Sequence, residues 1–339
     1  MSEPFETVPK EHREIARSAL AAAFDSHAVE ALRPVAGGVS GALTYRVEAR
    51  GKSYLLRIET RRSPLRNPHQ YTCMRIASEA GIAPALRYFD ADAGVAVMDF
   101  LQERPIGEFP GGPQDLAKAL GGLAARLQGT PTFPRLWDFP QAVDRILGFV
   151  RSSRMFAAGL LDAHAEGFEH IRSVYRWDES ALVSSHNDPN PRNLIFDGER
   201  LWLVDWEPAY RNDPLTDVAF LVENFAPTAE LERVLVEAWL GDEPDRALRA
   251  RLVLMRQLTR LYYAGLLLTL AGGHLRPAPE PDLAAPSPDE FRAAVAGGEY
   301  TPTSKETMFI LGKMYLAGFL AGLSTPAFDE ALAIAREAK

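Results

Sequence analysis

The sequence predicts an α+β protein in which a small antiparallel sheet comes first and a mainly helical region follows. Between residues 31 and 100, short segments of alternating apolar and polar residues are separated by glycine-containing turns, as is typical of strands. From Pro113 onward, apolar residues recur every three or four positions, as they do on the buried face of helices. The segment 184–207 interrupts this helical region, because it reads as loop, strand, turn and strand.

Size and composition indicate an ordinary globular protein. At 339 residues the chain is long enough for two lobes, and its 47% hydrophobic and 24% charged content is typical of soluble domains. The formal net charge of −8 argues against nucleic-acid or anionic-membrane binding through overall charge, although a local basic patch for ATP is compatible with it. We therefore expect no nucleic-acid partner; the oligomeric state stays open.

The cysteine content, the charges near the N-terminus and the lengths of the apolar stretches indicate in which compartment the protein is located. Cys73 is the only cysteine and cannot form an intramolecular disulfide, which fits a reducing compartment. The first twenty residues carry charges throughout, unlike a secretory signal. The apolar stretch 261–273 is too short to span a bilayer, and the later run 308–323 is interrupted by Lys313. We expect a cytoplasmic protein without a membrane segment.

The N-terminal segments predict a helix within residues 10–30 that ends near Ser26, followed by strands on either side of a glycine-rich loop at 37–41. Glycines allow backbone amides to approach an anion closely. Gly38, Ser40 and Gly41 could therefore cover the phosphates of ATP, although a plain hairpin turn would also contain paired glycines.

The segment 184–207 carries the polar side chains that predict chemistry. Its two short apolar strands flank an Asp-Gly turn, so they pair antiparallel and bring Asn193, before the first strand, beside Asp205, after the second. An amide carbonyl and a carboxylate suit Mg²⁺ that shares phosphate oxygens with a nucleotide. Pro189 and Pro191 keep the preceding loop irregular, which holds the Asp188 carboxylate near the same end. A surface hairpin with incidental polar flanks is the alternative.

The same residues resemble a known family. The order His186, Asp188, Asn193 and then Asp205 is similar to the catalytic and metal-binding segment of the aminoglycoside phosphotransferase and choline kinase superfamily. The residues around Asp205-Trp206-Glu207 and through 212–217 are closer to its choline/ethanolamine kinase-like branch. This resemblance implies a protein-kinase-like two-lobed fold, with a sheet lobe to about residue 101, a helical lobe over 102–339, and the nucleotide lying between them.

The resemblance also implies roles for individual residues. Asp188 would be the catalytic base that orients the acceptor hydroxyl, and His186 and Asp217 would support its loop. Asn193 and Asp205 would bind Mg²⁺. The cofactors would be ATP and Mg²⁺, and the partner a small molecule with a hydroxyl group.

Two further nucleotide contacts follow from the resemblance. Arg57 lies on the strand that holds the α and β phosphates in the family, and Asp99 and Leu101 lie in the segment that meets adenine through its backbone. The alternatives are a surface arginine on an edge strand and an ordinary last strand. The helix expected at about 68–80 departs from the family pattern, because its start at 69–73 contains no acid to pair with Arg57. The partner of Arg57 is therefore open.

Helices are expected at about 141–177, 229–239, 245–272, 304–323 and 326–338, with a proline-punctuated loop before the last two. That loop could be a flexible lid or a solvated excursion. The expected function is transfer of the γ-phosphoryl group of ATP to a small metabolite. A nucleotide-binding pseudokinase is the rival from another class, and a metal-dependent hydrolase would need more metal ligands or His clusters than the sequence offers.

The acceptor is expected to be an amino alcohol of the choline or ethanolamine type. The helices after the central hairpin, which line the acceptor side in the resembling family, contain aromatic and acidic residues suited to a small ammonium group: Trp239, Tyr262, Tyr263, Tyr315, Glu207 and Glu223. An aminoglycoside remains an alternative because the stretch 275–300 contains five acids, namely Glu280, Asp282, Asp289, Glu290 and Glu299.

Overall fold

The computed structural model describes residues 4–24, 29–35, 41–60 and 66–337. Gly38 and Ser40 of the predicted glycine loop lie outside these ranges. The elements in chain order are α1 (Arg13–Phe24), β1 (Val29–Pro34), β2 (Leu43–Ala49), β3 (Lys52–Ile58), α2 (Gln70–Glu79), β4 (Leu86–Asp90), β5 (Val95–Asp99), α3 (Gly112–Gln128), α4 (Phe139–Ser152), α5 (Asp162–Val174), β6 (Val183–Ser185), β7 (Leu194–Phe196), β8 (Leu201–Leu203), β9 (Tyr210–Asn212), α6 (Leu215–Phe225), α7 (Ala229–Leu240), α8 (Arg246–Leu270), α9 (Pro288–Ala296), α10 (Lys305–Leu323) and α11 (Pro326–Glu337).

The N-terminal strands form one antiparallel sheet with the order β1-β2-β3-β5-β4. In this sheet Arg57 pairs with Thr44 of β2 on one side and with Ala96 of β5 on the other. Because β3 has a neighbour on each side, Arg57 does not lie on an edge strand. An antiparallel sheet followed by a helical region is the arrangement that the sequence predicts, and it is confirmed.

One face of the sheet is buried against α1. The alternation of β3 places Tyr54, Leu56 and Ile58 on this face, where Tyr54 meets the Phe24 ring at a centroid distance of 4.3 Å. Removing these apolar side chains from water is the main stabilising term for the contact. The period of two directs Arg57 to the opposite face, away from this core.

Shorter strands build the segment predicted as a hairpin. β7 and β8 pair antiparallel with Leu194 opposite Leu203, and β6 pairs with β9. Close by in the same part of the fold, α3 packs against α7. The contact is tight at Gly121 of α3, where a Cβ would lie 2.2 Å from the carbonyl oxygen of Leu235.

The C-terminal helices follow the predicted pattern with one correction. The continuous helical region expected over 141–177 is wrong, because α4 ends at Ser152 and α5 begins at Asp162. Between them, Arg154 and Gly159 adopt left-handed backbone conformations, with φ of 58° and 82°. A right-handed helix cannot continue through such residues.

The proline-rich stretch before α10 is anchored at Glu280. Its backbone bonds to Met155 and Ala157, and its carboxylate meets Lys313 Nζ at 3.1 Å and Arg276 at 2.9 Å. Lys313 is 8% exposed on α10, so this ion pair is partly removed from solvent screening. The stretch is therefore fixed to the helices at this point, and α9 follows with a Ser287 capping box.

Helix α10 is the one described helix whose length and composition would allow it to cross a membrane. It contacts α8 and α5. A core helix of a soluble protein passes the same test, so this observation is weak evidence for a span.

The chain divides into two compact units. The first, here called the sheet unit, comprises the described residues of 1–136, 183–217 and 224–241; the second, here called the helical unit, comprises those of 137–182, 218–223 and 242–339. The predicted lobe boundary near residue 101 stays a prediction.

Candidate active site

The β7–β8 hairpin positions two of the predicted site residues. The Val204 amide donates to the Asn193 carbonyl oxygen at 2.9 Å, which extends the pairing by one step beyond Leu194 and Leu203. Asn193 and Asp205 therefore lie at the same open end of the hairpin, where the sequence places them. Asp205 is exposed, whereas Asn193 is 8% exposed.

Asp188 is held between two amide groups. Asn190 Nδ2 donates to its Oδ1 at 2.8 Å and Asn193 Nδ2 to its Oδ2 at 3.0 Å. Burial, together with the negative charges of Asp205 and Asp217, raises the pKa of Asp188 to about 7, although these two hydrogen bonds oppose the rise. A carboxylate with a pKa near neutrality can take up a proton at physiological pH.

The residues at the hairpin end fit a magnesium ion. The Asn193 amide nitrogen is committed to the backbone and side-chain oxygens of Asp188, at 2.9 and 3.0 Å, so its Oδ1 is the atom that would bind a metal. Asp205 would supply a carboxylate oxygen. Within the described ranges no group of three or more His, Cys, Asp or Glu could hold a metal. Two protein oxygens suit Mg²⁺, which takes its other ligands from water and nucleotide phosphates.

Two buried residues, Asp217 and His186, hold the loop that carries Asp188. Asp217 accepts hydrogen bonds from the backbone amides of His186 and Asn187 at 2.7 and 2.8 Å. His186 Nε2 bonds to the Val204 carbonyl oxygen at 2.9 Å, so this nitrogen carries the proton. Burial lowers the pKa of His186 to about 4 and keeps the ring neutral at pH 7. Both residues act through the loop, since neither is exposed.

Asn187 is a supporting residue that the sequence analysis missed. Its Nδ2 donates to the carbonyl oxygens of Pro208 and Tyr210 at 3.0 and 3.2 Å, and its Oδ1 accepts from Asn212 at 2.6 Å. It adopts a left-handed conformation with φ of 64°, as does Asp205 with φ of 63°. Asparagine directly before the predicted base was a usable signal, because this residue type tolerates such a conformation.

Arg57 has two carboxylate neighbours that the sequence analysis did not assign to it. Its guanidinium donates to Glu207, two residues after Asp205, and lies 3.8 Å from Glu59, just beyond β3. The Arg57 side chain is 13% exposed. Although Asp205 retains contact with solvent, the protein atoms around its carboxylate displace enough water to raise its pKa, and the charge of Arg57 opposes that rise.

The remaining predicted nucleotide contacts have the following surroundings. Gly41 precedes β2 with φ of 69°, and its carbonyl oxygen accepts from Thr60 at 2.8 Å. The Asp99 amide donates to Ala85 at 2.9 Å, and its carboxylate forms a bidentate pair with Arg87 at 2.6 and 2.7 Å. The side chain of Asp99 is therefore occupied. The roles of Asp99 and Leu101 in adenine binding stay predictions.

Three of the predicted aromatic residues cluster within the helical unit. Tyr263 stacks with Tyr315 at a centroid distance of 5.6 Å and meets Tyr262 and Phe220 at 6.4 and 4.5 Å. Trp239 belongs to the sheet unit, where its indole donates to Gln128 at 2.9 Å.

Glu223 does not join this cluster as a free acid, contrary to the expectation. It accepts from Arg260 at 2.8 and 3.0 Å and from Arg256 at 3.2 Å. All three side chains are at most 24% exposed. Two arginines more than neutralise one carboxylate, so Glu223 cannot serve as the counter-ion of an ammonium group.

Comparison with known proteins identifies the family. The model of the phosphotransferase enzyme family matches residues 31–252. The choline/ethanolamine kinase family protein from Mesorhizobium loti is 25% identical, with a TM-score of 0.67 over 96% of this chain and 99% of that one. The spectinomycin phosphotransferase APH(9)-Ia, solved with ADP and spectinomycin, is 12% identical, with a TM-score of 0.54 over 88% and 97%.

Curated relatives match over shorter segments. Protein LicA of Haemophilus influenzae is 36% identical over 61 residues, which are 18% of this chain. The chain spans 15% to 23% of the length of the curated relatives that it matches. The family model covers well over half of the chain and the solved structures share the protein-kinase-like fold, as the sequence predicts. The chain therefore belongs to the phosphotransferase enzyme family.

Proposed function

We propose that the protein transfers the γ-phosphoryl group of Mg²⁺-ATP to the hydroxyl group of a small amino alcohol of the choline or ethanolamine type. The placement of Asp188 carries the first part of this proposal. Its carboxylate is fixed by Asn190 and Asn193, and it shares the hairpin end with Asp205. A base beside a magnesium-binding pair is the arrangement that phosphoryl transfer requires.

The reaction uses these residues in simple roles. Asp188 accepts the proton of the acceptor hydroxyl group while the hydroxyl oxygen forms a bond to the γ-phosphorus. The bond between that phosphorus and the β–γ bridging oxygen breaks, and ADP is released. Arg57 binds phosphate oxygens with its forked guanidinium. A magnesium ion held by Asn193 and Asp205 would neutralise phosphate charge. The protein's contribution is mainly position and charge, because the transferred group needs little covalent help.

The acceptor class rests on the aromatic cluster and on the relatives. Tyr262, Tyr263 and Tyr315 are of the residue type that binds a small ammonium group, because a desolvated cation over an aromatic ring gains about 1 to 2 kcal/mol. The similar protein from Mesorhizobium loti is described as a choline/ethanolamine kinase family protein, which supports the same class.

A polycationic aminoglycoside is less well supported. Four of the five acids between residues 275 and 300 are engaged within the described structure: Glu280 and Asp282 with Lys313, Asp289 with Arg292, and Glu290 in the helix cap. This stretch therefore presents less free negative charge than its sequence predicts.

A product-resolved panel assay tests the proposal. The purified chain, Mg²⁺ and ATP are incubated with choline, ethanolamine, spectinomycin, a hexose and thiamine, and phosphorylated products are measured by mass spectrometry. We expect phosphocholine or phosphoethanolamine to form. Phosphorylation of spectinomycin or the hexose alone would overturn the acceptor class, and absence of any turnover would favour the pseudokinase.

A matched pair of variants distinguishes the effect of losing a tyrosine of the cluster from the effect of losing a tyrosine elsewhere. Tyr315→Leu keeps an apolar side chain and removes the ring, so the KM for the amino alcohol should rise about tenfold while the KM for ATP stays constant. Tyr300→Leu is the control, because that ring packs on Phe291 of α9 at 5.4 Å. Equal effects of the two variants would refute a role for these three tyrosines in amino-alcohol binding.

A further inference from the structure

A carboxylate just beyond the end of β3 accepts hydrogen bonds from three side chains. Glu59 accepts from Arg66 Nε at 2.6 Å, from the Tyr71 hydroxyl at 2.7 Å and from the Gln70 amide. Its side chain is only 9% exposed. Its own backbone amide donates to the Gly94 carbonyl oxygen at 2.8 Å. Both the backbone and the side chain of Glu59 are therefore fixed.

The carboxylate of Glu59 is ionised at neutral pH. Burial alone would raise its pKa, but hydrogen bonds from Arg66 and Tyr71 and the charges of Arg66 and Arg57 hold the pKa below its usual value. Arg66 is itself anchored, because it also donates to the Ala91 carbonyl oxygen at 2.9 Å. The group is a permanent negative charge whose nearest oxygen lies 3.8 Å from the Arg57 guanidinium.

Glu207 faces Arg57 in a different way. Its side chain is 42% exposed, compared with 9% for Glu59, and Arg57 donates directly to it. A phosphate that binds Arg57 must compete with this solvent-exposed carboxylate. Glu59 is buried among its own donors, so its charge stays in place whether or not Glu207 is displaced.

The donors to Glu59 also connect two elements. Gln70 and Tyr71 form the first turn of α2, whereas Glu59 directly follows β3, the strand that carries Arg57. The first turn of α2 contains no acid. A carboxylate from the strand end and donors from the helix thus make the connection between α2 and β3.

We infer that Glu59 is the positioning residue for Arg57: it fixes the guanidinium for phosphate binding and couples the start of α2 to β3. The inference rests on the proposed function, in which Arg57 binds the phosphates of ATP. It also answers the question that the sequence leaves open, namely which acid accompanies Arg57 when the helix supplies none.

The test moves the negative charge from Glu59 to its hydrogen-bond partner Gln70. Glu59→Gln removes the charge and keeps the shape, and Glu59→Gln combined with Gln70→Glu exchanges the amide and the carboxylate between the two bonded positions. Glu48→Gln is the control, because that carboxylate lies on β2 of the same sheet and pairs with Arg46 and Ser53. Affinity for Mg²⁺-ATP is measured by calorimetric titration, and the KM values for ATP and acceptor by turnover.

We expect Glu59→Gln to weaken Mg²⁺-ATP binding about tenfold or more, with the KM for ATP raised and the KM for acceptor unchanged. The exchanged double variant should recover to within about threefold of the wild type, and Glu48→Gln should match the wild type. A purely structural role for Glu59 would lower the melting temperature without this split between the two KM values.

Three results would overturn the inference. If the wild type binds Mg²⁺-ATP and Glu59→Gln binds it equally well, Glu59 does not position Arg57 and the proposed function still stands. If the double variant is folded by circular dichroism yet stays as weak as Glu59→Gln, the charge itself is not what matters. If the wild type does not bind Mg²⁺-ATP at all, both the inference and the proposed function are wrong.

Discussion

One added methyl group at Gly121 should force α3 and α7 apart. The Cβ of an alanine there would lie 2.2 Å from the carbonyl oxygen of Leu235, 2.9 Å from the amide nitrogen of Trp239 and 3.0 Å from the Cβ of Ala238. Two of these neighbours are backbone atoms, so no side chain can rotate away. Relief requires the helices to separate by about 1 Å, since contacts to a methyl carbon are normally more than 3 Å long.

The size of the effect follows from two opposing terms. Overpacking of this kind costs about 1 to 3 kcal/mol, and the rigid neighbours place this case at the upper end. Alanine regains about 1 kcal/mol over glycine inside a helix. Gly122 is the matched control, because its added Cβ would meet nothing within 4 Å and the same propensity gain applies. We expect Gly121→Ala to be less stable than Gly122→Ala by about 3 kcal/mol.

The assay is urea unfolding of both variants and the wild type, followed by fluorescence and circular dichroism. Gly122→Ala should unfold slightly later than the wild type, and Gly121→Ala clearly earlier. The separation should also lower turnover, because Gln128 at the end of α3 bonds both to Trp239 of α7 at 2.9 Å and to the Pro214 carbonyl oxygen before α6 at 2.8 Å. Equal midpoints for the two alanine variants would refute the packing argument.

Three further predictions concern single side chains. Asp188→Asn should lower kcat at least about a hundredfold with little change in ATP affinity, and a large loss of ATP binding would instead make Asp188 a nucleotide ligand. Asp205→Asn should abolish Mg²⁺-dependent turnover while the melting temperature stays near that of the wild type, because asparagine keeps the size of the side chain and tolerates the left-handed backbone at this position; full activity would refute its role as a metal ligand. Burial lowers the pKa of His164 below 6.5, so on acidification the unfolded chain takes up a proton that the folded chain excludes. Stability should therefore fall below about pH 6.5 by up to about 1.4 kcal/mol per pH unit, and melting curves of His164→Gln should show a flatter pH dependence.

The sequence predicted the parts of the site that local chain direction determines. The Asp-Gly turn and the two short apolar strands were enough to place Asn193 beside Asp205, because a hairpin brings the residues at its open end together. The alternation of β3 is equally local, and in the structure it sets Arg57 on the face opposite the buried Leu56.

The contacts that depend on distant segments were beyond the sequence. Glu207 is 150 positions from Arg57. The arginines that neutralise Glu223 come from α8, 33 and 37 positions later. Local periodicity does not specify which side chains meet over such separations. Periodicity also missed the break between α4 and α5. The left-handed Arg154 carries no compositional signal, and Gly159 alone does not distinguish a break from a glycine inside a helix.

Left-handed backbone conformations occur both beside the predicted base and at the predicted metal ligand. Asn187 and Asp205 both adopt left-handed conformations that cost an L-amino acid about 1 to 3 kcal/mol, and one directly precedes Asp188 while the other is the predicted metal ligand itself. Such conformations persist only where the surroundings compensate for them. Asn187 provides that compensation through Asp217, Asn212 and two carbonyl oxygens. These bonds hold the loop backbone, and Asn190 and Asn193 hold the Asp188 carboxylate, so its direction is set by the protein alone. A base that acts by position, as we propose for Asp188, requires a carboxylate that is oriented in this way.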